Sequence, residues 1–169
     1  IDAQNNTIYA DIGELKFDYL VIATGSKTNY FGNKEIERNS MAMKTIPQSL
    51  NIRSLILENF EQALLTNDID ERHSLMNFVL VGSRPTGVEL AGALAEMKKA
   101  ILPKDYPDLD VRKMEINLIQ SGDRILNTMG ENASEKAEKF LLDVGVSVWK
   151  DVRVTGYDGK TVTTNSDLS

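Results

Sequence analysis

Cysteine is absent from this 169-residue chain, which excludes disulfides, thiolate metal ligands, a cysteine nucleophile and a redox CxxC pair within it. Histidine is nearly absent too, since His73 is the single one, and it lies beside Glu71 and Arg72 in a charged stretch that shows no cluster of partner ligands. The acidic residues do not have the spacing of a metal-binding loop, so we predict no metal site. No apolar run approaches the roughly 18–20 residues that span a bilayer, and no signal peptide is recognised. We therefore expect a cytoplasmic chain that makes no membrane contact of its own.

Positive charge is in deficit, with 19 Lys and Arg residues against 25 Asp and Glu residues and a net charge of −6. Nucleic-acid binding needs a clustered basic face, so we predict no nucleic-acid partner. The apolar share of 41% is ordinary for a folded domain. The length allows one domain, or one domain with part of a second. Because the first residue is Ile1 rather than Met, we expect a piece of a longer protein.

The first 44 residues show short β-prone stretches at 7–10 and 15–17 on either side of a turn. The run Tyr19–Ala23 is different, because five apolar residues in succession are followed by Thr24 and Gly25. Such a run is typical of a buried parallel strand whose carboxyl end faces a ligand, with a plain core strand as the alternative. Residues 26–44 are polar and are predicted to form a surface connection.

An amphipathic helix is predicted from Thr45, its N-cap, to about Asn67, with Pro47 in the first turn. Its apolar stripe consists of Ile46, Leu50, Leu57, Phe60 and Leu64, with Ile56 and Ala63 beside it. A stripe of this kind favours a packing role.

A strand–turn–helix–strand pattern begins near Asn77. Two prolines exclude a helix in the loop 102–108 that follows the first helix. A second helix, a third strand and a hairpin about Asp158-Gly159 complete an α/β pattern with a parallel sheet. In chain order the predicted elements are the strand 78–81, the glycine turn 82–87, the helix 88–97, the strand 116–120, the helix 132–143, the strand 146–149 and the hairpin strands 152–157 and 160–164.

The glycine turn after the first of these strands matches part of the dinucleotide-binding fingerprint GxGxxG. Gly82 and Gly87 hold the first and third glycine positions, while Arg84 stands at the second. The second glycine lets the backbone approach the pyrophosphate, which then meets the N–H groups at the helix N-terminus. The strand before and the small-residue helix after the turn favour dinucleotide binding. The alternative is a crossover whose glycines serve packing alone.

The end of the second strand carries Gln120, where the fingerprint has an acidic residue that binds the ribose. Glutamine can bond a ribose hydroxyl but lacks the charge that would repel a 2′-phosphate. Arg124 follows and could pair with such a phosphate, or be a solvated loop residue. We therefore predict reduced discrimination between NADH and NADPH at a dinucleotide site in this chain.

Five stretches resemble type II NADH dehydrogenases, the NADH:quinone oxidoreductases of the FAD-dependent pyridine nucleotide-disulfide oxidoreductase superfamily. The resemblance covers nearly the whole chain. These stretches are FVLVGSRPTGVELAGALAEMK from Phe78, DYLVIATGS from Asp18, SLNIRSLILENFEQAL from Ser49, LPKDYPDLD from Leu102 and SGDRIL from Ser121.

The resemblance implies a Rossmann-like NAD(P)-binding domain with a short strand segment of an adjoining FAD domain. Residues 1–44 would end the first half of the FAD domain, residues 45–76 would be a connecting helix and linker, and residues 77–169 would be the NAD(H)-binding domain. The full-length parent would pass hydride from NADH to FAD and then electrons to quinone, on the cytoplasmic face of a membrane, with a homodimer left open. We expect the chain alone to hold no stable FAD and not to turn over quinone.

The resemblance also assigns site residues. Glu89 would be the catalytic carboxylate near nicotinamide and flavin, tuning the site or relaying a proton; alternatively it is a helix N-terminal carboxylate stabilised by the dipole. The residues assigned to cofactor binding are Ala23, Thr24 and Gly25 for FAD, Gly82, Ser83, Arg84, Pro85, Thr86 and Gly87 for the pyrophosphate, and Gln120 with Ser121 and Arg124 for the ribose end.

Arg84 departs from the family pattern and is predicted to weaken NADH binding relative to glycine. Two alternative functions stay open. One is the nucleotide domain of another FAD-dependent reductase. The other is an interaction module whose nucleotide site Arg84 has impaired.

Overall fold

The computed structural model describes residues 1–166. Its N-terminal part begins with an antiparallel hairpin of β1 (Thr7–Ala10) and β2 (Gly13–Lys16). The strand predicted at Tyr19–Ala23 is not formed. Tyr19 is 93% exposed and Val21 is 84% exposed. A parallel strand is stable only beside a neighbour that takes its hydrogen bonds, and no strand among residues 1–166 pairs with this run.

Three helices follow: α1 (Lys34–Asn39), α2 (Ile46–Leu65) and α3 (Ile69–Leu75). The predicted N-cap of α2 is confirmed, because Thr45 and Gln48 form a reciprocal capping box. The buried face of α2 is narrower than the predicted stripe and consists of Ile56, Phe60 and Ala63, while Leu50 is 54% exposed.

The short helices α1 and α3 lie where the sequence suggested a polar connection and a helix end. Each begins at a side chain that accepts hydrogen bonds from two backbone N–H groups of the first turn. Asn33 does so for α1 and Asp68 for α3. These caps explain why polar residues form helices here.

The central sheet contains three parallel strands in the order β3 (Asn77–Val81), β4 (Glu115–Ile119) and β5 (Ser147–Trp149). The crossover helices are α4 (Pro85–Ala100) and, after the single turn α5 (Leu102–Asp105), α6 (Glu131–Asp143). This arrangement confirms the Rossmann-like α/β prediction. The turn α5 corrects the expectation that residues 102–108 contain no helix, because proline is tolerated in the first helical turn.

The hydrophobic core lies on one face of this sheet. Phe60 of α2 is fully buried and its ring centroid lies 5.8 Å from that of Phe78 and 5.7 Å from that of Tyr106. Burial, with Glu61 and Asp105 nearby, raises the pKa of the Tyr106 phenol. The edge strand β3 is only partly buried, since Val81 is 64% exposed. On α6 the Phe140 side chain lies outside the core and is 59% exposed.

A second antiparallel hairpin is formed by β6 (Val154–Tyr157) and β7 (Val162–Thr164), as predicted. The helix α1 is bonded to it, because the Asn33 and Asn39 side-chain amides donate to the carbonyls of Thr155 and Tyr157 at 3.0 and 2.9 Å. Of the helices in the described part of the chain, none is both long and apolar enough to cross a bilayer.

Candidate functional site

The turn between β3 and α4 depends on Gly82. Its φ of +100° lies in the region that side chains disfavour. Its N–H donates to the Ile119 carbonyl at 2.8 Å, which ties the turn to the end of β4. The first glycine position of the fingerprint therefore has a conformational requirement in this chain.

Gly87 packs directly against Gly82. A β-carbon at position 87 would lie 2.0 Å from the Gly82 carbonyl oxygen and 3.2 Å from its carbonyl carbon. The first turn of α4 can approach the turn backbone this closely only because residue 87 has no side chain. The N–H groups of that first turn lack partners within the helix, so they face the space beside the turn.

Arg84 occupies the N-cap position of α4, with Pro85 as the first helical residue. Its φ of −70° and ψ of 171° are extended backbone, which any residue adopts. The replacement of glycine by arginine therefore causes no backbone strain at this position. The Arg84 side chain is exposed, provides no cap, and has no hydrogen bond or ion pair within residues 1–166. Thr86, next in the turn, is also exposed.

Gln120 joins the ends of two strands to the glycine turn. Its side-chain oxygen accepts a hydrogen bond from the Ser83 N–H at 3.3 Å, and Ser83 is 2% exposed. Its backbone N–H donates to the Trp149 carbonyl at 2.8 Å, and its carbonyl accepts from the Val152 N–H at 3.0 Å. The sequence placed Gln120 beside the turn, but contained no signal for the bond to Ser83.

The loop from Ser121 to Gly130 closes the other side of the turn. The Leu126 N–H donates to the Ser83 carbonyl at 2.9 Å. The buried Ser134 hydroxyl of α6 donates to the Ile125 carbonyl at 2.7 Å. This use of the loop as a support was not foreseen from the sequence.

The other predicted site residues are dispersed. Arg124 donates to the Asn127 carbonyl at 3.0 Å, within its own loop, and Ser121 is exposed. Glu89 is exposed in the second turn of α4, so it does not cap the helix. Ala23, Thr24 and Gly25 are exposed, and no hydrogen bond in the described part of the chain links them to the glycine turn.

Comparison with known proteins shows which family shares this sequence. A family model for the pyridine nucleotide-disulphide oxidoreductases matches residues 1–168. The chain is 33% identical over 147 residues to the type II NADH:quinone oxidoreductase Ndh of Mycobacterium tuberculosis, covering 87% of this chain and 32% of that protein. It is 36% identical over 150 residues to the mitochondrial external alternative NAD(P)H-ubiquinone oxidoreductase B1 of Arabidopsis thaliana, covering 88% of this chain and 26% of that protein.

A solved structure extends the similarity to three dimensions. NDH2 from Plasmodium falciparum in complex with NADH matches with a TM-score of 0.81 and 28% identity, covering 98% of this chain and 33% of that one. The chain thus spans no more than about a third of each of these relatives. With a parallel sheet, a Gly82–Gly87 turn packed on its helix and a family match along 168 residues, the chain belongs to the pyridine nucleotide-disulphide oxidoreductase family.

Proposed function

We propose that the glycine turn and Gln120 form the NADH-binding site of a flavin-dependent NADH:quinone oxidoreductase. The observation that carries this proposal is the contact of Gly87 with Gly82, where a β-carbon would lie 2.0 Å from a carbonyl oxygen. Such close packing brings a helix N-terminus up to a turn, and this is how dinucleotide-binding folds present N–H groups to a pyrophosphate. Similarity to a structure solved with NADH supports the same ligand.

Each residue of the site then has a distinct task. The first N–H groups of α4 bind the pyrophosphate. Gly82 and Gly87 keep the turn free of side chains and allow it to pack close to the helix. The Gln120 side-chain oxygen accepts from Ser83, and the side-chain NH₂ group, which has no hydrogen bond within residues 1–166, would donate to a ribose hydroxyl. A neutral amide there admits either the hydroxyl of NADH or the phosphate of NADPH. Ser121 and Arg124 flank this end of the site.

In the complete protein we infer that bound FAD would supply the chemistry of hydride transfer from NADH and of electron transfer to a quinone. Ala23, Thr24 and Gly25 are proposed to lie near the flavin, and Glu89 to face the nicotinamide, where it tunes the site or relays a proton. Ala23–Gly25 are exposed and pair with no strand of residues 1–166.

The division of the chain is part of the proposal. Residues 1–44 would belong to the FAD domain, residues 45–76 would connect, and residues 77–169 would form the NAD(H) domain. Since quinones dissolve in membranes, we infer that the complete protein works peripherally at the cytoplasmic face of one. A homodimer is the proposed assembly, which sedimentation of the complete protein would test.

A calorimetric titration of the chain with NADH tests the proposed site. We expect saturable binding by the wild-type chain and none by Gly87→Ala. Gly92→Ala is the matched control, because a β-carbon at position 92 of the same helix has no neighbour within 4 Å. A wild-type chain that is folded but binds no NADH would refute the proposal and favour an interaction module. The activity of the complete protein is tested by NADH oxidation with a soluble quinone.

A further inference from the structure

The position of Arg84 is unfavourable unless an anion binds beside it. The guanidinium group belongs to the N-cap residue of α4, where the aligned peptide dipoles already create a positive end. No acidic side chain pairs with it in residues 1–166, and the nearby strand end carries the neutral Gln120. The fold gains no cap from this side chain. These positive potentials, without a counterion within residues 1–166, favour an anionic ligand.

The size of Arg84 acts in the opposite direction. At the second position of the fingerprint, glycine lets the backbone approach the pyrophosphate most closely. The Arg84 backbone is unstrained, so the cost of replacing glycine is the volume of the β-carbon and stem. Bulk should weaken dinucleotide binding, while charge should strengthen it.

We propose that Arg84 is a specificity-determining residue that binds the dinucleotide phosphates through its guanidinium group. In sites with glycine at this position the backbone approaches the pyrophosphate closely, whereas in this chain the charge of Arg84 recognises the phosphates instead. The inference rests on the proposed NADH site and adds a residue role to it. A guanidinium presents several N–H donors in one plane and forms bidentate bonds with phosphate oxygens. The affinity of this site for NADH should therefore depend on ionic strength more steeply than that of a site with glycine.

Three versions of the chain distinguish the effect of the Arg84 charge on NADH affinity from the effect of its volume. They are the wild type, Arg84→Met and Arg84→Gly. Methionine keeps a flexible stem and removes the charge, whereas glycine removes both. We expect the Arg84→Gly chain to bind NADH more tightly than the wild type, and the wild type to bind it more tightly than Arg84→Met. The Arg84→Met chain should bind about tenfold more weakly than the wild type at low salt, the size of one charge-assisted hydrogen bond. Arg53→Met removes an exposed arginine of α2 and controls for net charge.

The titrations are made at about 0.01 M and about 1 M salt, where the Debye lengths are about 30 Å and 3 Å. The difference in NADH affinity between the wild type and Arg84→Met should nearly disappear at high salt. ADP-ribose, which keeps the pyrophosphate without nicotinamide, should show the same dependence on salt and on the Arg84 substitutions as NADH. Equal wild-type and Arg84→Met affinities at low salt, with both chains binding NADH, would overturn the role of Arg84 and leave the site intact. Absence of NADH binding by all chains, Arg84→Gly included, would instead overturn the proposed site together with this inference. Circular dichroism confirms that the variants are folded.

Discussion

The Gln120 side-chain oxygen and the Ser83 backbone N–H are joined by a hydrogen bond of 3.3 Å. This bond links the residue after β4 to the middle of the glycine turn. It uses one of the two acceptor positions of the Gln120 amide oxygen within the protein, and the NH₂ group is the donor that the amide can offer to a ribose. A carboxylate at the same position could accept from Ser83 with one oxygen and from a ribose with the other.

Gln120→Glu should therefore improve discrimination between NADH and NADPH. A negative charge beside the 2′-phosphate of NADPH is repulsive, and we expect the ratio of NADH to NADPH affinity to rise about tenfold. Titration of wild-type and variant chains with each dinucleotide measures the ratio. A wild-type site that already prefers NADH strongly would contradict the role given to the neutral amide.

Gly87→Ala should destabilise the chain as well as abolish NADH binding. Its β-carbon would overlap the Gly82 carbonyl, so the start of α4 must shift, at a cost of about 1–3 kcal/mol in the free energy of unfolding. Urea denaturation measures this cost. In the same helix Gly92→Ala should stabilise by about 0.5–1 kcal/mol, because alanine favours helix and no neighbour is crowded. Similar effects of both substitutions would argue against the packing of Gly87 on Gly82.

Ser134→Ala should weaken the support of the loop 121–130. The substitution leaves the Ile125 carbonyl without its 2.7 Å hydrogen bond in a buried place, which costs about 1–3 kcal/mol. Urea denaturation again measures the loss. The exposed Ser147 is the control, and Ser147→Ala should change stability by less than about 0.5 kcal/mol. Equal effects would show that the buried bond contributes nothing.

Asp158 should give the β6–β7 hairpin a dependence on acid pH. Hydrogen bonds from the Thr161 and Lys160 backbone N–H groups lower the pKa of its carboxyl group. Since the folded pKa lies below the unfolded value of about 3.9, the stabilisation is complete above that value and is lost as the pH falls through the folded pKa. NMR titration of the Asp158 carboxyl carbon should show a midpoint below about 3.9. Asp158→Asn keeps an acceptor for the turn and should remove this part of the pH dependence. A midpoint at or above the unfolded value would contradict the prediction.

Elements with a strong local pattern could be predicted from the sequence. The helix α2 was predicted because Thr45 and Pro47 mark its start, and β3 because its residues 78–81 are apolar without interruption. The hairpin about Asp158-Gly159 was predicted for a similar reason, since turn residues separate two β-prone stretches. In each case the signal lies within a few residues of the element.

Features that depend on distant partners could not be predicted. The run Tyr19–Ala23 has the composition of a buried strand, yet a strand needs a neighbour, and residues 1–166 provide none. The bond from Ser83 to Gln120 depends on a side-chain conformation that spacing does not encode. At Arg84 the motif predicts glycine for close approach to a pyrophosphate, and it does not indicate that the backbone there is ordinary extended chain.

The amide groups of Asn33 and Asn39 have a consequence for how copies of this chain meet one another. They occupy the carbonyls of Thr155 and Tyr157 on β6. A strand edge with free carbonyls is a template on which another chain can add a strand. With these two oxygens already engaged, an incoming strand would have to displace α1 before it could pair with β6. The β6 edge of the hairpin is thereby protected against edge-to-edge pairing by a helix of only six residues and its N-cap.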